Sequence, residues 1–214
     1  MLSLAEKLIL LRIDEQKGIV KLPITTPFQY ALIGATLIEL ILNNKVHIGE
    51  EYLEITDYTT TGNGILDEAL QIIKQSKKKG DIIYWIAKLN NKFKNITDKI
   101  LQKFIDEGVL EKLEHKFLWI IPAYSYLINN TRQEKFFKAH MRNEVINAGT
   151  LELNTIALFR LANVCDLVDD IFSYDEQKKA QIRIKQSLID GKYEKTLTSV
   201  IAGIKIAIIA ETYI

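Results

Sequence analysis

A single cysteine, Cys165, stands in the whole 214-residue chain, so no intrachain disulfide can form and no cysteine-cluster zinc site can be built. It falls in the apolar helical pattern LFRLANVCDLVDDIF, where a buried, inert thiol is expected. The three histidines, His47, His115 and His140, lie far apart and form no HExxH pair, which removes the usual spacing of a catalytic zinc site. A serine-centred GxSxG elbow is missing as well. With three prolines and no low-complexity linker, residues 1–214 are read as a single domain. The most apolar stretches, Phe28 to Leu42 and Leu197 to Ala210, run to about 15 residues, short of the roughly 20 needed to cross a bilayer. The N-terminal MLSLAEKLILL has neither a basic start nor a small-residue cleavage site, so a cytoplasmic setting is expected. Basic and acidic residues number 28 and 27, which excludes a histone-like polyanion coat and means that any electrostatic partner is met locally.

What is present reads as helix. Hydrophobic residues make up 48% of the chain, enough for a substantial core. Ser3 and Glu6 have capping-box spacing ahead of the apolar run Leu4 to Ile13. Thr26-Pro27-Phe28-Gln29 repeats the signal, with a threonine cap, proline at the first helical position and glutamine three residues on. The helix that follows is apolar nearly all round, interrupted by Gln29, Thr36 and Glu39, and is expected at the centre of the core. Residues 45–55 alternate around a glycine turn as a β-hairpin, and a short strand is expected over Ile19 to Leu22. Further helices are expected near 65–75, 81–90, 96–107, 131–147, 151–172 and 175–189. A second hairpin is expected from Val109 to Ile121, stopped by Pro122. The fold class is therefore mainly α, a compact helical domain with buried core helices and small β-hairpins.

Candidate chemistry is sparse. The stretch TTTGNGILDEAL, Thr59 to Leu70, has glycines before a helix but no lysine followed by Ser or Thr, and no buried strand leads into it. Asp67 and Glu68 fall in the first helical turn, where they suit the helix dipole and would repel phosphate, so this is a helix start. Asp166, Asp169 and Asp170 would share one face of a helix, yet no second acidic cluster is available to complete a magnesium-diphosphate site. No catalytic residue, metal or cofactor is assigned. The informative signal is charge: nine lysines between Lys74 and Lys103 face only Asp81 and Asp98. If a helix is capped near Asn95, Lys94, the Thr97 hydroxyl and the free N–H groups at its start form a candidate anion site, with Lys99 and Lys103 one turn apart further along. Such a surface suits an anionic membrane at about 1 kcal/mol per lysine. The order of helix 96–107 and hairpin also suits a winged helix. The contiguous apolar run Phe117-Leu118-Trp119-Ile120 fits core packing or membrane insertion better than a nucleic-acid wing, so no nucleic-acid partner is assigned.

Several segments together resemble the Golgi phosphoprotein 3-like family: LSLAEKLILLRID with the following Gly18, ALIGATLIELILNNKV, TTTGNGILDEAL, Tyr84-Trp85-Ile86, KILQKFIDEGVL, FLW and LFRLANVCDLVDDIF. They run in family order across nearly the whole chain. The resemblance implies one mostly helical domain without catalytic activity and a peripheral place on the cytoplasmic face of a membrane. In eukaryotic members it implies binding of phosphatidylinositol 4-phosphate and insertion of an apolar hairpin into the bilayer. Carried over by position, the family's headgroup Trp and first Arg become Ile24 and Ile33, and the two later Arg become Lys94 and Thr97. Lysine keeps the charge without the planar fork that grips phosphate at two points. The resemblance thus implies an anionic phospholipid site at Lys94, Thr97 and Lys99, and a membrane-inserting hairpin at Phe117, Leu118, Trp119 and Ile120, with selective headgroup recognition weakened. A cytosolic protein-interaction module without lipid binding and a winged-helix-like nucleic-acid binder are the alternatives.

Overall fold

The computed structural model describes residues 2–14, 16–117, 121–129, 131–147, 149–187 and 191–212. Its first element, α1 (Leu4–Leu11), starts with the expected capping box: the Ser3 hydroxyl accepts from the Glu6 N–H and the Glu6 carboxylate from the Ser3 N–H. The second, α2 (Thr26–Leu42), is the centre of the packing. Twelve of its seventeen residues are buried because α1, α3 (Gly64–Lys74), α4 (Ile82–Lys92), α5 (Ile96–Asp106), α7 (Leu153–Val164) and α9 (Gly191–Thr212) all pack against it. An all-round apolar helix is stable only in such company. Gly34 permits the closest approach: a Cβ there would lie 2.3 Å from Ile204 Cδ1 of α9 and 3.3 Å from Leu161 Cδ2 of α7.

The fold class expected from sequence is what the structure shows, nine α-helices among the described residues with two small antiparallel hairpins. The first, β1 (Val46–Ile48) with β2 (Leu53–Ile55), sits where the alternation put it. The second differs from expectation. Its strands are β3 (Leu110–Phe117) and β4 (Ile121–Ile128), so the expected span takes in one whole strand and only the first residue of the next, and Pro122 lies inside the returning strand opposite Lys116. Proline withholds a donor, but a two-stranded ribbon has an outer edge where no donor is needed. The expected strand at 19–22 is reduced to isolated bridges, Ile13 with Val20 and Ile19 with Leu127, which tie the loop after α1 to the base of this hairpin.

Two helix boundaries also differ. The cap of α2 is Thr25, not Thr26, and it makes no side-chain hydrogen bond. Gln29 does not fold back on it; its amide donates to the Phe93 carbonyl at 3.0 Å. The expected helix 151–172 is broken, because α7 ends at Val164, Asp166 takes a left-handed conformation (φ 57°) and the Leu167 N–H donates to the Ala162 carbonyl. That hydrogen bond is a Schellman closure with Asp in the usual glycine place. A 3-10 turn at Val168–Asp170 follows, so the three aspartates do not share one α-helical face, and Asp170 pairs with Lys21 at 2.6 Å. Cys165 is buried there, and burial pushes its thiol up to about 12. The remaining helices are α6 (Thr131–Asn147) and α8 (Tyr174–Gln186).

Three ion pairs link distant parts of the chain and set its response to acid. The Lys45 ammonium holds Asp57 down to about 2, Arg142 does the same for Glu176, and Arg160 lowers Glu194. A carboxylate whose folded pKa is depressed adds stability that is fully present above its unfolded value near 4 and is lost as pH falls toward 2. Glu39 acts in the opposite sense, since burial raises it and its protonation favours the folded state as pH falls. Asp14, held down by the N–H groups of Lys17 and Gln16, makes four depressed carboxylates against one raised, so the urea midpoint is expected to drop between pH 5 and pH 2.5. Asp57→Asn and Glu176→Gln should each flatten that slope, and an unchanged slope in both would show that these pairs do not hold the fold.

Candidate functional site

Three of the four positions carried over by resemblance, Ile24, Lys94 and Thr97, line one cavity of about 400 Å³. The segment Leu22 to Thr26 forms one wall, α2 contributes Gln29, α4 contributes Asn90, the start of α5 contributes Lys94, Thr97, Asp98 and Leu101, and Tyr126 of β4 and Glu211 of α9 close it. Local hydrogen bonds fix these pieces. Arg12 donates from Nε and Nη2 to the Lys21 carbonyl and from Nη2 to the Pro23 carbonyl, which holds the 21–23 segment over α1, and its guanidinium lies 4.9 Å from the Phe28 ring centre. Gln29 ties α2 to the α4–α5 junction, and its Oε1 accepts from the Thr97 hydroxyl at 3.4 Å. Thr97 is 8% exposed, so its hydroxyl is largely turned inward. Asn95 caps α5 without a side-chain hydrogen bond.

The charge of this cavity is not that of a plain phosphate site. Lys94 is the one cation among its lining residues, against Asp98 and Glu211. Tyr30 is buried, and burial first, then Glu211, push its hydroxyl up to about 12, while Asn90 acts in the lowering direction. Asn90 Oδ1 is buried without a hydrogen-bond donor among the described residues. Ile24 lines the cavity as an apolar wall, whereas Ile33 is fully buried in the core and does not reach it.

Lys99 is not part of this cavity. Its ammonium pairs with Glu68 of α3 and sits 5.3 Å from the Phe93 ring centre. Lys103 is likewise committed, to Glu6 and, at 3.8 Å, to Glu107. Phe117 is the last residue of β3, paired in register with Ile121, and Leu118, Trp119 and Ile120 lie outside the described residues.

Of the nine lysines in the lysine-rich stretch, Lys99 and Lys103 are therefore neutralised, and the other seven have no ion pair among the described residues. Lys74, Lys77, Lys78, Lys79 and Lys88 have no carboxylate partner among the described residues, and four of them sit against aromatic rings. Lys74 lies over Tyr58 (5.2 Å), Lys79 over Tyr52 (5.9 Å), Lys78 over Tyr84 (4.7 Å), and Lys88 over Tyr84 and Trp85 (5.3 and 4.9 Å). The turn that carries them is fixed at Gly80, where a Cβ would fall 2.0 Å from the Tyr84 ring, and the Leu53 N–H donates to the Gly80 carbonyl. Lys88 also donates to the Tyr84 and Ser76 hydroxyls, and that contact lowers the Tyr84 pKa. Asp81 accepts from the Tyr84 N–H as the cap of α4. The i,i+4 spacing of Tyr84 and Lys88 is a legible signal for part of this surface. Nothing in the sequence pointed to Tyr30, Asn90 or Glu211.

Two further properties bear on function. Among the described residues no helix is long and apolar enough to cross a membrane, and no group of three His, Cys, Asp or Glu side chains could hold a metal ion.

A sequence model of the Golgi phosphoprotein 3 (GPP34) family matches residues 4–200. The vacuolar protein sorting-associated protein 74 of Eremothecium gossypii is 26% identical over 145 residues, covering 58% of this chain and 43% of that protein. The protein of the same name from Schizosaccharomyces pombe is 22% identical over 227 aligned positions, covering 88% of this chain and 66% of its own length. The chain thus spans less than two thirds of either relative.

Proposed function

The chain belongs to the Golgi phosphoprotein 3 family, and from that premise we propose that it is a non-enzymatic, single-domain peripheral protein that binds the anionic phospholipid of a cytoplasmic membrane face. The observation that carries this reading is the unpaired lysine–tyrosine surface from Tyr52 to Lys88. At about 1 kcal/mol per lysine near an anionic bilayer, five such cations supply ample attraction, and tyrosine suits the headgroup layer. The cavity at Lys94 and Thr97 is the proposed headgroup site. Selective grip on a polyphosphorylated inositol is not part of the proposal, because one lysine there faces two carboxylates. The winged-helix alternative loses support at α5, where Lys99 and Lys103, the cations a recognition helix would present, are paired with Glu68 and Glu6.

Co-sedimentation with phosphatidylcholine vesicles, the same vesicles containing phosphatidylglycerol, and vesicles containing phosphatidylinositol 4-phosphate tests the reading at two salt concentrations. Binding is expected to both anionic compositions at equal surface charge, to weaken at high salt, and to be missing for phosphatidylcholine alone. Failure to bind either anionic vesicle would sink the proposal. A strong preference for the phosphoinositide at matched charge would overturn its non-selective part.

A further inference from the structure

The polar groups of the Lys94 cavity do not balance for a phosphate alone. On the donor side stands the Lys94 ammonium, exposed and without a carboxylate partner among the described residues, at the start of α5 where the helix dipole also favours an anion. The Gln29 amide, which would otherwise add a donor, is committed to the Phe93 carbonyl. On the acceptor side stand the Asp98 and Glu211 carboxylates, whereas Asn90 Oδ1, which no donor satisfies among the described residues, is itself closed to solvent. A multiply charged phosphate ligand would gain one cation and meet two like charges. A simple cation would gain the carboxylates and meet Lys94.

A ligand that carries both signs answers both halves of the cavity. The geometry points to a phosphate ester bearing a primary ammonium, the phosphoethanolamine unit, with its phosphate at Lys94 and its ammonium shared between Asp98 and Glu211. A primary ammonium has three N–H donors to offer these carboxylates, and a quaternary amine has none. The volume, about 400 Å³, is in the range of small-ligand pockets and suits a headgroup. Leu22, 44% exposed at the rim, and Ile24 supply the apolar border that a lipid's glycerol and first methylenes would meet. This inference rests on the reading of the cavity as a headgroup site and names the headgroup. The same chemistry occurs in a soluble phosphoethanolamine and in phosphatidylethanolamine, and the test separates them.

The solution arm titrates the whole chain with O-phosphoethanolamine, inorganic phosphate, phosphocholine and ethanolamine, followed by ¹H–¹⁵N NMR. O-phosphoethanolamine is expected to shift the Asn90 side-chain amide and to bind at least about tenfold more tightly than each of the other three. Asp98→Asn should erase its advantage over inorganic phosphate, and Lys94→Gln should erase its advantage over ethanolamine. Both side chains are exposed, so thermal melts of the variants should match the parent. Equal binding of inorganic phosphate and O-phosphoethanolamine, or equal binding of phosphocholine, would overturn the inference. The vesicle arm holds phosphatidylglycerol constant and replaces phosphatidylcholine with phosphatidylethanolamine, which should tighten binding about fivefold for the parent and not for Asp98→Asn. Vesicle binding that depends on phosphatidylglycerol alone, without any O-phosphoethanolamine binding, would remove the headgroup inference and leave the membrane reading. Binding of O-phosphoethanolamine without attachment to any vesicle would keep the site for a soluble ligand and remove the membrane reading.

Discussion

Glu6→Ala is expected to cost about 3 kcal/mol of folding stability, measured by urea unfolding followed by circular dichroism. Glu6 is 0% exposed and yet acidic, and three elements converge on it. One carboxylate oxygen accepts from the Ser3 N–H at 2.8 Å and so caps α1. The other takes the Lys103 ammonium of α5 and the Asn63 amide at 3.4 Å. Asn63 is itself the cap of α3, its Oδ1 accepting from the N–H groups of Ile65 and Leu66. Truncation would remove half of a capping box, worth about 1 kcal/mol, leave a cavity, and strip a buried partner from Lys103. Lys103 is 38% exposed and already near Glu107, so water and that second carboxylate recover part of its loss. Glu39 recovers a little more, since Glu6 is one of the charges that raise its pKa. Glu6→Gln keeps the shape and an acceptor for Ser3, and should cost about half as much. A cost below about 1 kcal/mol for the alanine variant would mean that the junction of α1, α3 and α5 is held by packing alone.

This junction shows which parts of the molecule can be read along the chain. The capping box at Ser3 and Glu6 is a four-residue pattern and was legible, as was the helix start in TTTGNGILDEAL, whose Asp67 accepts from Thr61. The central place of α2 followed from its lack of a polar face. What local patterns cannot carry is the second partner of each group. With the cap at Thr25, Gln29 stands one place beyond the capping-box position, and its side chain reaches the Phe93 carbonyl, 64 residues away, and the Thr97 hydroxyl instead. Pro122 reads as a stop, yet it stands inside β4 of a two-stranded ribbon, where prolines are tolerated at edges. The aspartates after α7 have helical spacing, but a left-handed residue at Asp166 ends the helix first. At the candidate site, Lys94 and Thr97 could be placed from sequence by resemblance, whereas Tyr30, Asn90 and Glu211 reach the same cavity through packing of α2, α4 and α9. The lysine excess was visible as composition, but which lysines are paired depends on Glu6 and Glu68, which only the tertiary fold brings near.

That division makes Lys77→Gln/Lys78→Gln/Lys79→Gln the variant expected to affect membrane attachment most. These three lysines are exposed on one turn between α3 and α4, have no carboxylate partner among the described residues, and follow Lys74 on the same surface. Removing three charges at about 1 kcal/mol each should weaken binding to phosphatidylglycerol vesicles on the order of 100-fold, and the corresponding glutamate variant should not bind detectably. Stability should stay within about 0.5 kcal/mol, since the turn is fixed by Gly80 under Tyr84 and by the Leu53–Gly80 hydrogen bond rather than by the lysine side chains. Lys99→Gln is the matched control, with a change of about threefold or less, because its charge is already met by Glu68. On α4, Lys88 and Asn90 are two residues apart and so point to opposite sides of the helix. The lysine surface and the Lys94 cavity are therefore separable by mutation, and the triple variant should still bind O-phosphoethanolamine in solution. Vesicle binding unchanged in the triple variant, with Lys94→Gln abolishing it, would move the membrane-facing surface from the lysine–tyrosine turn to the cavity.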